Sequence, residues 1–464
     1  MDNEIRAFVG ENIDGIKRDI KRLVDIKSVK GTPKPGMPYG EDVHRVKLEA
    51  MKLCEEIGMA VTDCDGKVAY AHYGRDDKFI AIVAHVDVVP EGGGWDTPPY
   101  DLTERDGYLV GRGTLDDKGP FVIAAWAVKY LIENKIDLNY GIRIIIGLDE
   151  ESGMSDIEYY NKHCTEPLFS FTPDSDFPVG HGEKGIFEAN LISEKLCGTV
   201  RELCGGVATN VVSDFAKAKL DGDKFEILSQ KALSAENIKV CLQDKLTVVE
   251  ASGKAAHAGN PYGSVNANYL LMKFLRDSGV LVEKEQKAAE FMCRVMQSYD
   301  GKQLNINCDD GIFAPLTMIG GMLSMRDGAF VLNVNSRYPT AITPDELEKR
   351  VDKACRENDF SMQVDCNSGP FYLEPTHTAV KILCDIYNEV TNSNEKPYVM
   401  SGGTYARMMN NAVSYGIEFP GQEKEDPEWV GAVHMKNEAL KIERAKQSCE
   451  IFINTLIKLQ NVNL

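Results

Sequence analysis

The sequence predicts an α/β fold with a mixed, largely parallel sheet that carries helices on both faces, together with an inserted α+β domain. Continuous apolar runs at 79–84 and 142–148 are short enough for buried strands, and amphipathic helix patterns alternate with them. The pattern changes near residue 186, where half-exposed strands replace the buried ones. Because 464 residues exceed what one hydrophobic core usually fills, two domains are expected.

The first segment alternates helices and strands. Its predicted elements are helices over 10–26 and 42–57, strands over 68–73 and 79–84, a helix over 121–134 and a strand over 142–148. The helices are predicted from apolar residues that recur at helical spacing, and the buried strands from uninterrupted apolar runs. Sheets of this kind place their functional sites at the carboxyl ends of the strands.

Residues 187–376 are predicted to form the inserted domain. Alternating polarity predicts strands at 185–192 and 245–251, and helices are predicted over 209–219, 264–277 and 344–357. The buried-helix pattern resumes at Ala379. Segments 1–186 and 377–464 are therefore predicted to form one discontinuous domain on either side of the insert.

Composition and charge exclude several classes of protein. Hydrophobic residues make up 43% and charged residues 27%, which is ordinary for a globular protein. The formal charge of -19 argues against a nucleic-acid partner, since such a protein needs a basic face. The N-terminus has no secretory signal pattern, no segment is long enough to span a membrane, and the 12 cysteines form no Cys-x-x-Cys motif. A cytoplasmic protein with reduced thiols is expected.

Histidine and carboxylate side chains cluster where the predicted strands end. His85 ends the strand at 79–84, and Asp87 follows on the same side because side chains in a strand alternate. Glu150 and Glu151 leave the next buried strand directly, and adjacent side chains point in different directions. One carboxylate can therefore ligate a metal while its neighbour faces a reacting water. A solvated loop end is the competing interpretation of this pair taken alone.

Several motifs resemble those of the dinuclear metallopeptidases, a family that includes acetylornithine and succinyl-diaminopimelate deacylases, aminoacylase and carnosinases. The motifs are His85-Val86-Asp87, Gly113-Thr114-Leu115-Asp116-Asp117-Lys118-Gly119, Glu150-Glu151, Asp174 and His434. Within the family, segments 111–120, 172–178 and 402–407 are most similar to the PepV-type dipeptidases. The resemblance covers essentially the whole chain. It implies a catalytic domain that is interrupted by a lid domain.

The resemblance also implies two divalent metal ions held by five side chains. Asp116 is implied to bridge the two ions, with His85 and Asp174 completing one site and Glu151 and His434 the other. Zinc is favoured, and manganese or cobalt also suits such nitrogen and oxygen donors.

Three further carboxylates near these ligands receive different roles. By the resemblance, Asp87 orients His85 and Glu150 is the general base that later protonates the departing amine. Asp117 is not a ligand in this scheme, and we interpret it as a carboxylate at a helix N-terminus.

The inserted domain contributes implied substrate contacts. His257 resembles the family histidine that stabilises the oxyanion, although a loop histidine without a role is the alternative. Asn210 and Arg337 match substrate-facing positions, and a guanidinium suits the grip of a substrate carboxylate. An exposed strand residue with a salt bridge is the alternative for Arg337. Backbone N–H groups of Gly402, Gly403 and Thr404 could bind the same carboxylate, or form a plain turn.

The predicted function is hydrolysis of dipeptides with a free amino terminus. An N-acyl amino-acid deacylase using the same metals is the nearer alternative, and a non-catalytic metal-dependent binding protein is the more distant one. The long insert resembles the lid of the PepV-type dipeptidases. This resemblance implies that His257 acts within its own chain, and therefore a monomer.

Overall fold

The computed structural model describes residues 2–464, in which helices flank two large sheets. The helices are α1 (Asp2–Val24), α2 (Glu41–Ile57), α3 (Lys118–Glu133), α4 (Ser155–His163), α5 (Phe225–Ala232), α6 (Ala267–Ser278), α7 (Glu283–Met296), α8 (Pro344–Arg356), α9 (Thr378–Thr391) and α10 (Ile442–Leu459). The strands are β1 (Ala60–Cys64), β2 (Val68–Tyr73), β3 (Phe79–His85), β4 (Thr103–Arg105), β5 (Tyr108–Val110), β6 (Gly141–Gly147), β7 (Phe169–Thr172), β8 (Ser175–Asp176), β9 (Gly180–Glu183), β10 (Gly185–Ser193), β11 (Val200–Gly205), β12 (Phe215–Leu220), β13 (Ile238–Gln243), β14 (Leu246–Ser252), β15 (Thr317–Arg326), β16 (Ala329–Tyr338), β17 (Phe360–Ser368), β18 (Phe371–Tyr372), β19 (Tyr398–Met400), β20 (Ala412–Ser414), β21 (Ile417–Glu418) and β22 (Ala439–Lys441).

The first compact unit is built from three segments of the chain: residues up to Gly182, Tyr372–Tyr398 and Gly403–Leu464. The strand order of its large sheet is β1-β2-β6-β3-β7-β20-β9-β18, and β19 also pairs with β9. Strands β6, β3, β7 and β20 run parallel, whereas β1, β2 and β9 join by antiparallel pairing. The predicted mixed sheet is confirmed, and its parallel part is the centre.

Buried apolar residues account for the elements at this centre. Every residue of β3 and of β6 is buried, as expected for strands covered on both faces. Helix α1 directs Ile16 and Ile20 into the same core. A Cβ atom added at Gly15 would lie 2.6 Å from the Trp126 ring, so a glycine allows α1 to approach α3 closely.

The second compact unit comprises Glu183–Phe371 and Val399–Gly402. The strand order of its sheet is β13-β14-β12-β11-β15-β16-β10-β17, and the registers of the pairs are antiparallel. Helices α6, α7 and α8 contribute Leu271, Met292 and Leu347 to a core that is separate from that of the first unit. This unit has the predicted α+β character.

The helix predicted over 209–219 is wrong. Residues from Phe215 onwards form strand β12, which pairs with β11 and β14. Ala216, Ala218 and Leu220 are buried and alternate with more exposed lysines. Alanine and lysine favour helices intrinsically, but pairing on both sides of the strand outweighs this weak preference.

Among the described helices, none has the length and apolar character needed to cross a lipid bilayer.

Candidate metal centre

Three parallel strands of the first unit deliver predicted ligands to one edge of the sheet. His85 is the last residue of β3 and pairs with Gly147, the last residue of β6. Glu150 and Glu151 follow in a short 3-10 helix, Glu150–Ser152, and Asp174 comes two residues after β7. Because the strands are parallel, their carboxyl ends meet at the same edge, which brings these side chains together.

One group of potential metal ligands consists of His85, Asp116 and Asp174. His85 Nε2 lies 2.9 Å from Asp116 Oδ1 and 3.7 Å from Asp174 Oδ2. The His85 and Asp116 side chains are buried, and Asp174 is mostly buried. The three side chains thus point their donor atoms at a common point.

A second group consists of Asp116, Glu151 and His434. His434 Nε2 lies 2.8 Å from Asp116 Oδ2 and 3.1 Å from Glu151 Oε1. His434 has a φ of 65°, a left-handed conformation that is uncommon outside glycine and that directs its ring from a loop. Asp116 therefore belongs to both groups, one carboxylate oxygen facing each.

The donor set fits divalent cations. His85 Nε2 and Asp116 Oδ1 are buried and have no hydrogen-bond partner among the described residues, although they lie side by side. Imidazole nitrogens with carboxylate oxygens are ligands that zinc and similar metals accept. The two groups share the Asp116 carboxylate, and each of them could hold one cation.

The electrostatics of the cluster also favour a cation. Burial, together with the Asp116 charge, raises the pKa of Asp174 to about 7. Burial and neighbouring carboxylates also raise the pKa of Glu150 well above its ordinary value, although the His85 charge opposes this. Asp116 behaves in the opposite way. Burial would raise its pKa, but the His434 and His85 rings beside it outweigh burial and hold the pKa below its usual range. These crowded carboxylates need positive charge nearby.

Asp87 contacts the backbone of the two glutamates as well as His85, the one partner that was predicted for it. Its Oδ1 and Oδ2 atoms accept hydrogen bonds from the backbone N–H groups of Glu150 and Glu151, at 3.3 and 3.2 Å. His85 Nδ1 lies 3.1 Å from the carbonyl oxygen of Asp87 and 3.4 Å from its carboxylate. Asp87 therefore fixes the turn that carries both glutamates, and its backbone carbonyl is the nearer partner of the imidazole.

Asp117 is the N-cap residue of α3. Its carboxylate accepts a hydrogen bond from the backbone N–H of His85 at 3.0 Å, and not from the N–H groups of the helix. The side chain thus connects the end of β3 to the start of α3.

The prediction missed a buried ion pair, Arg112 with Glu438, behind two of the ligands. Glu438 Oε1 accepts hydrogen bonds from the backbone N–H groups of Gly113 and Asp116, at 3.0 and 3.3 Å. Arg112 Nη2 donates to the carbonyl oxygen of His434 at 3.2 Å. The pair therefore ties together the loops that carry Asp116 and His434. Arg112 lies within segment 111–120, which carries part of the family resemblance, but no local sequence pattern indicates Glu438.

Tyr405 and Asp156 support the end of β6. Tyr405 donates a hydrogen bond from its hydroxyl to Asp156 Oδ2, which also accepts from the backbone N–H groups of Leu148 and Asp149 at 2.6 and 3.0 Å. The Tyr405 ring meets the His85 ring edge-on, with centroids 6.0 Å apart. A Cβ atom at Gly147 would lie 2.3 Å from the Tyr405 hydroxyl, so this position requires glycine.

The second unit brings its predicted substrate contacts together. Val211 and His257 form a β-bridge, and Ala258 N–H donates to Asn210 O at 2.8 Å. Arg337 is buried in β16, and its Nη1 donates to Ser401 O at 3.4 Å. The alternative of an exposed strand residue for Arg337 is therefore wrong. The His257 side chain is exposed, yet partial loss of hydration and the Arg337 charge lower its pKa.

Residues 402–404 lie where the chain passes from the second unit to the first. Gly402 belongs to the second unit, and Gly403 and Thr404 belong to the first. The Thr404 hydroxyl accepts a hydrogen bond from Ala406 N–H at 3.2 Å and caps the 3-10 helix Tyr405–Met408.

The chain resembles known proteins of one peptidase family in sequence. The family model described as "Peptidase family M20/M25/M40" matches residues 81–458. The chain is 30% identical over 460 residues to a Bacillus subtilis protein named "Putative dipeptidase YtjP", covering 95% of this chain and 96% of that protein.

Solved structures show the same fold. Human carnosine dipeptidase 1 has a TM-score of 0.61 at 15% identity, with 99% of each chain covered. The dipeptidase Dug1p of Saccharomyces cerevisiae also has a TM-score of 0.61, at 12% identity, with 100% of this chain and 99% of that chain covered. At these identities the structural matches support the fold alone. The family match spans most of the chain, and we conclude that this protein belongs to peptidase family M20/M25/M40.

Proposed function

We propose that this protein is a metal-dependent dipeptidase that hydrolyses dipeptides with a free amino terminus. The observation that carries the proposal is the pair of ligand groups that share Asp116, with Glu150 beside them. Membership of a peptidase family and the relative named as a dipeptidase support the same reaction.

We assign the metal ligands as the sequence resemblance implies. His85 and Asp174 would hold one divalent cation, Glu151 and His434 would hold a second, and Asp116 would bridge them. A divalent cation supplies Lewis-acid chemistry, in that it polarises the scissile carbonyl and makes water more acidic. Zinc is the proposed metal, and manganese and cobalt suit the same donors.

Glu150 moves the proton in the proposed reaction. Its carboxylate takes a proton from the attacking water and later gives that proton to the departing amine. Burial and the neighbouring carboxylates raise the pKa of Glu150, and a more basic carboxylate is the better acceptor for the proton of the water. Asp87 keeps Glu150 in place through the hydrogen bond to its backbone N–H.

Residues of the second unit would recognise the substrate. Arg337 can grip the free carboxylate of a dipeptide, because a guanidinium offers paired donors. His257 can donate a hydrogen bond to the oxygen of the scissile carbonyl as negative charge develops. Asn210 and the backbone N–H groups of residues 402–404 offer further donors.

Metal depletion and reconstitution test the reaction class. The protein is treated with a chelator, supplied with Zn²⁺, Mn²⁺ or Co²⁺, and assayed on free dipeptides alongside N-acetyl amino acids. We expect metal to restore cleavage of the free dipeptides and leave the acylated compounds intact. Cleavage of the N-acetyl amino acids alone would instead establish a deacylase. No hydrolysis of either class, with metal bound, would establish a binding protein.

A further inference from the structure

The first unit holds two cysteines in contact that the proposed hydrolysis does not use. Cys64 Sγ lies 3.7 Å from Cys164 Sγ, although the residues are 100 positions apart in the chain. Both side chains are partly exposed, whereas Cys54, Cys355 and Cys449 are buried. A small reagent can therefore reach the Cys64–Cys164 pair, whereas it cannot reach the buried thiols.

The backbone around the pair is held in place by neighbouring side chains. Cys64 ends β1, and Cys164 follows α4 directly, where its N–H donates to Tyr160 O at 2.8 Å. Next to Cys64, the Asp65 carboxylate accepts a hydrogen bond from the Tyr159 hydroxyl of α4. The Lys67 ammonium lies 4.2 Å from the centroid of the Tyr159 ring. These contacts fasten the end of β1 to the end of α4 independently of the sulfur atoms.

We propose that Cys64 and Cys164 form a dithiol site that reacts with two-electron oxidants of the peroxide class and with reagents that bind two sulfur atoms. In the oxidation, one thiolate attacks a peroxide oxygen, the O–O bond breaks, and a sulfenic acid and water form. The second sulfur then attacks the sulfenic sulfur, the S–O bond breaks, and a second water leaves. Two thiols lose two protons and two electrons, and one hydrogen peroxide becomes two water molecules.

The contact between the two sulfur atoms, and not a reactive thiolate, carries the oxidation. Burial, and next the Cys164 sulfur, raise the pKa of the Cys64 thiol to about 12. Either sulfur can attack peroxide in this scheme, because the other lies 3.7 Å away and completes the disulfide.

The disulfide would close a segment that contains most of the candidate metal centre. His85, Asp116, Glu150 and Glu151 all lie between Cys64 and Cys164 in the chain. A link between the ends of this segment restricts the unfolded chain, so it raises the unfolding temperature of the first unit.

Peptide mapping tests the oxidation. The full-length protein is treated with hydrogen peroxide, blocked with an alkylating reagent and digested without reductant. We expect a peptide pair that joins Cys64 to Cys164, is two hydrogen atoms lighter than its reduced parts, and separates on addition of dithiothreitol. Cys64→Ser and Cys164→Ser should both abolish it, and the control Cys197→Ser, at an exposed cysteine, should retain it. Recovery of Cys64 and Cys164 as separate thiols or as sulfinic acids would overturn the proposal.

Phenylarsine oxide tests the dithiol geometry without an oxidant. Its arsenic atom bonds to both sulfurs, and the arsenic oxygen leaves as water with the two thiol protons. Mass spectrometry of the intact protein should show one adduct at Cys64 and Cys164, lost in each serine variant and kept in Cys197→Ser. Persistence of the adduct in both serine variants would assign it to other thiols and contradict the proposal. Circular dichroism of the variants checks that they fold.

Discussion

Glu150 is the residue on which the proposed chemistry depends most directly. We expect Glu150→Gln to lower kcat by roughly 10²–10⁴-fold, since the amide cannot carry the proton. Metal content should stay unchanged, because Glu150 is outside both ligand groups. Steady-state kinetics together with metal analysis of the purified variant check this.

Glu158→Gln is the matched control for this variant. Glu158 is an exposed residue of α4, so its substitution should leave both kinetics and metal content as they were. Wild-type kcat in Glu150→Gln would remove Glu150 from the mechanism.

Glu438 supports the ligands through backbone contacts. Glu438→Gln would leave the buried Arg112 charge without its anion, which should reduce the free energy of unfolding by about 3–5 kcal/mol. Loosening the loops of Asp116 and His434 should also weaken metal binding by about 10–100-fold. Urea unfolding of the metal-free protein and metal competition with a chelator measure the two effects.

The exposed Glu443, in the first turn of α10, provides the comparison for Glu438. Glu443→Gln should change neither quantity. Metal affinity in Glu438→Gln equal to that of the wild type would show that the ion pair does not position the ligands.

Proton binding at the ligands should oppose metal binding. The pKa of Asp174 is raised to about 7. Burial lowers the pKa of His434, but the Asp116 and Glu151 carboxylates that face its ring outweigh burial and raise the pKa to about 10. Both groups must lose their protons to ligate a metal, so affinity should rise as the pH goes from about 6 to about 8. Competition with a chelator at several pH values measures this, and an affinity independent of pH would contradict it.

The same pKa shifts determine how the stability of the metal-free protein changes with pH. Because Asp174 has a folded pKa above its ordinary 3.8, the folded state binds more protons than the unfolded state between about pH 4 and about pH 7. Stability from this group is therefore lost as the pH rises through that window. His434, whose folded pKa is also raised, loses its contribution between about pH 6.5 and about pH 10.

Residue types in motifs could be predicted from the sequence, but their partners could not. The resemblance singled out Asp116 and His434, and the structure places both beside one another. It gave no indication of Glu438, because a contact with Arg112 across 326 positions leaves no local pattern. The carboxylate of Asp87 was assigned to His85, and its hydrogen bonds to the following turn depend on tertiary packing.

At the scale of elements, a substitution at Gly147 tests whether the contact between β6 and Tyr405 supports the candidate metal ligands. We expect Gly147→Ala to cost about 1–3 kcal/mol of stability through overpacking, since the new methyl group would lie 2.3 Å from the Tyr405 hydroxyl. His85 pairs with Gly147, so metal affinity should fall as well. Urea unfolding and chelator competition measure both.

Gly10→Ala is the control for a glycine-to-alanine change. Gly10 lies in α1 with no atom within 4 Å of the added methyl group, so stability should rise by roughly 0.5–1 kcal/mol. Unchanged stability of Gly147→Ala would mean that Tyr405 moves freely and does not brace the strand.

Elements could be predicted where the local pattern and the tertiary environment agree. Strand β3 is an uninterrupted apolar run that is buried throughout, and its prediction is confirmed. Strand β12 was predicted as helix because its alanines and lysines favour helices, whereas its neighbours β11 and β14 impose extended structure. A local sequence pattern carries no information about sheet neighbours that are distant in the chain.

At the scale of the whole molecule, the two units have separate cores. We therefore expect metal binding to stabilise the first unit and not the second. All five candidate ligands and Trp95, Trp126 and Trp429 belong to the first unit, and the sequence has 3 tryptophans in total. Tryptophan fluorescence therefore reports on that unit, and circular dichroism reports on both. A metal present at about 100 times its Kd should stabilise the fluorescence transition by about 2.7 kcal/mol.

Thermal unfolding with and without chelator measures this difference. We expect chelation to lower the fluorescence midpoint and to leave part of the circular dichroism transition unchanged. Equal shifts in both signals would show that the two units unfold as one.

The order of strands in the large sheet has a consequence for synthesis on the ribosome. Strand β20 lies between β7 and β9, yet it is translated about 230 residues after them. At roughly 5–20 residues per second, the emerging chain waits for tens of seconds with β7 lacking this neighbour. His85, Asp116 and Asp174 have been synthesised by then, whereas His434 has not. A nascent chain can therefore assemble the first ligand group early, and the second is completed only after His434 has been synthesised.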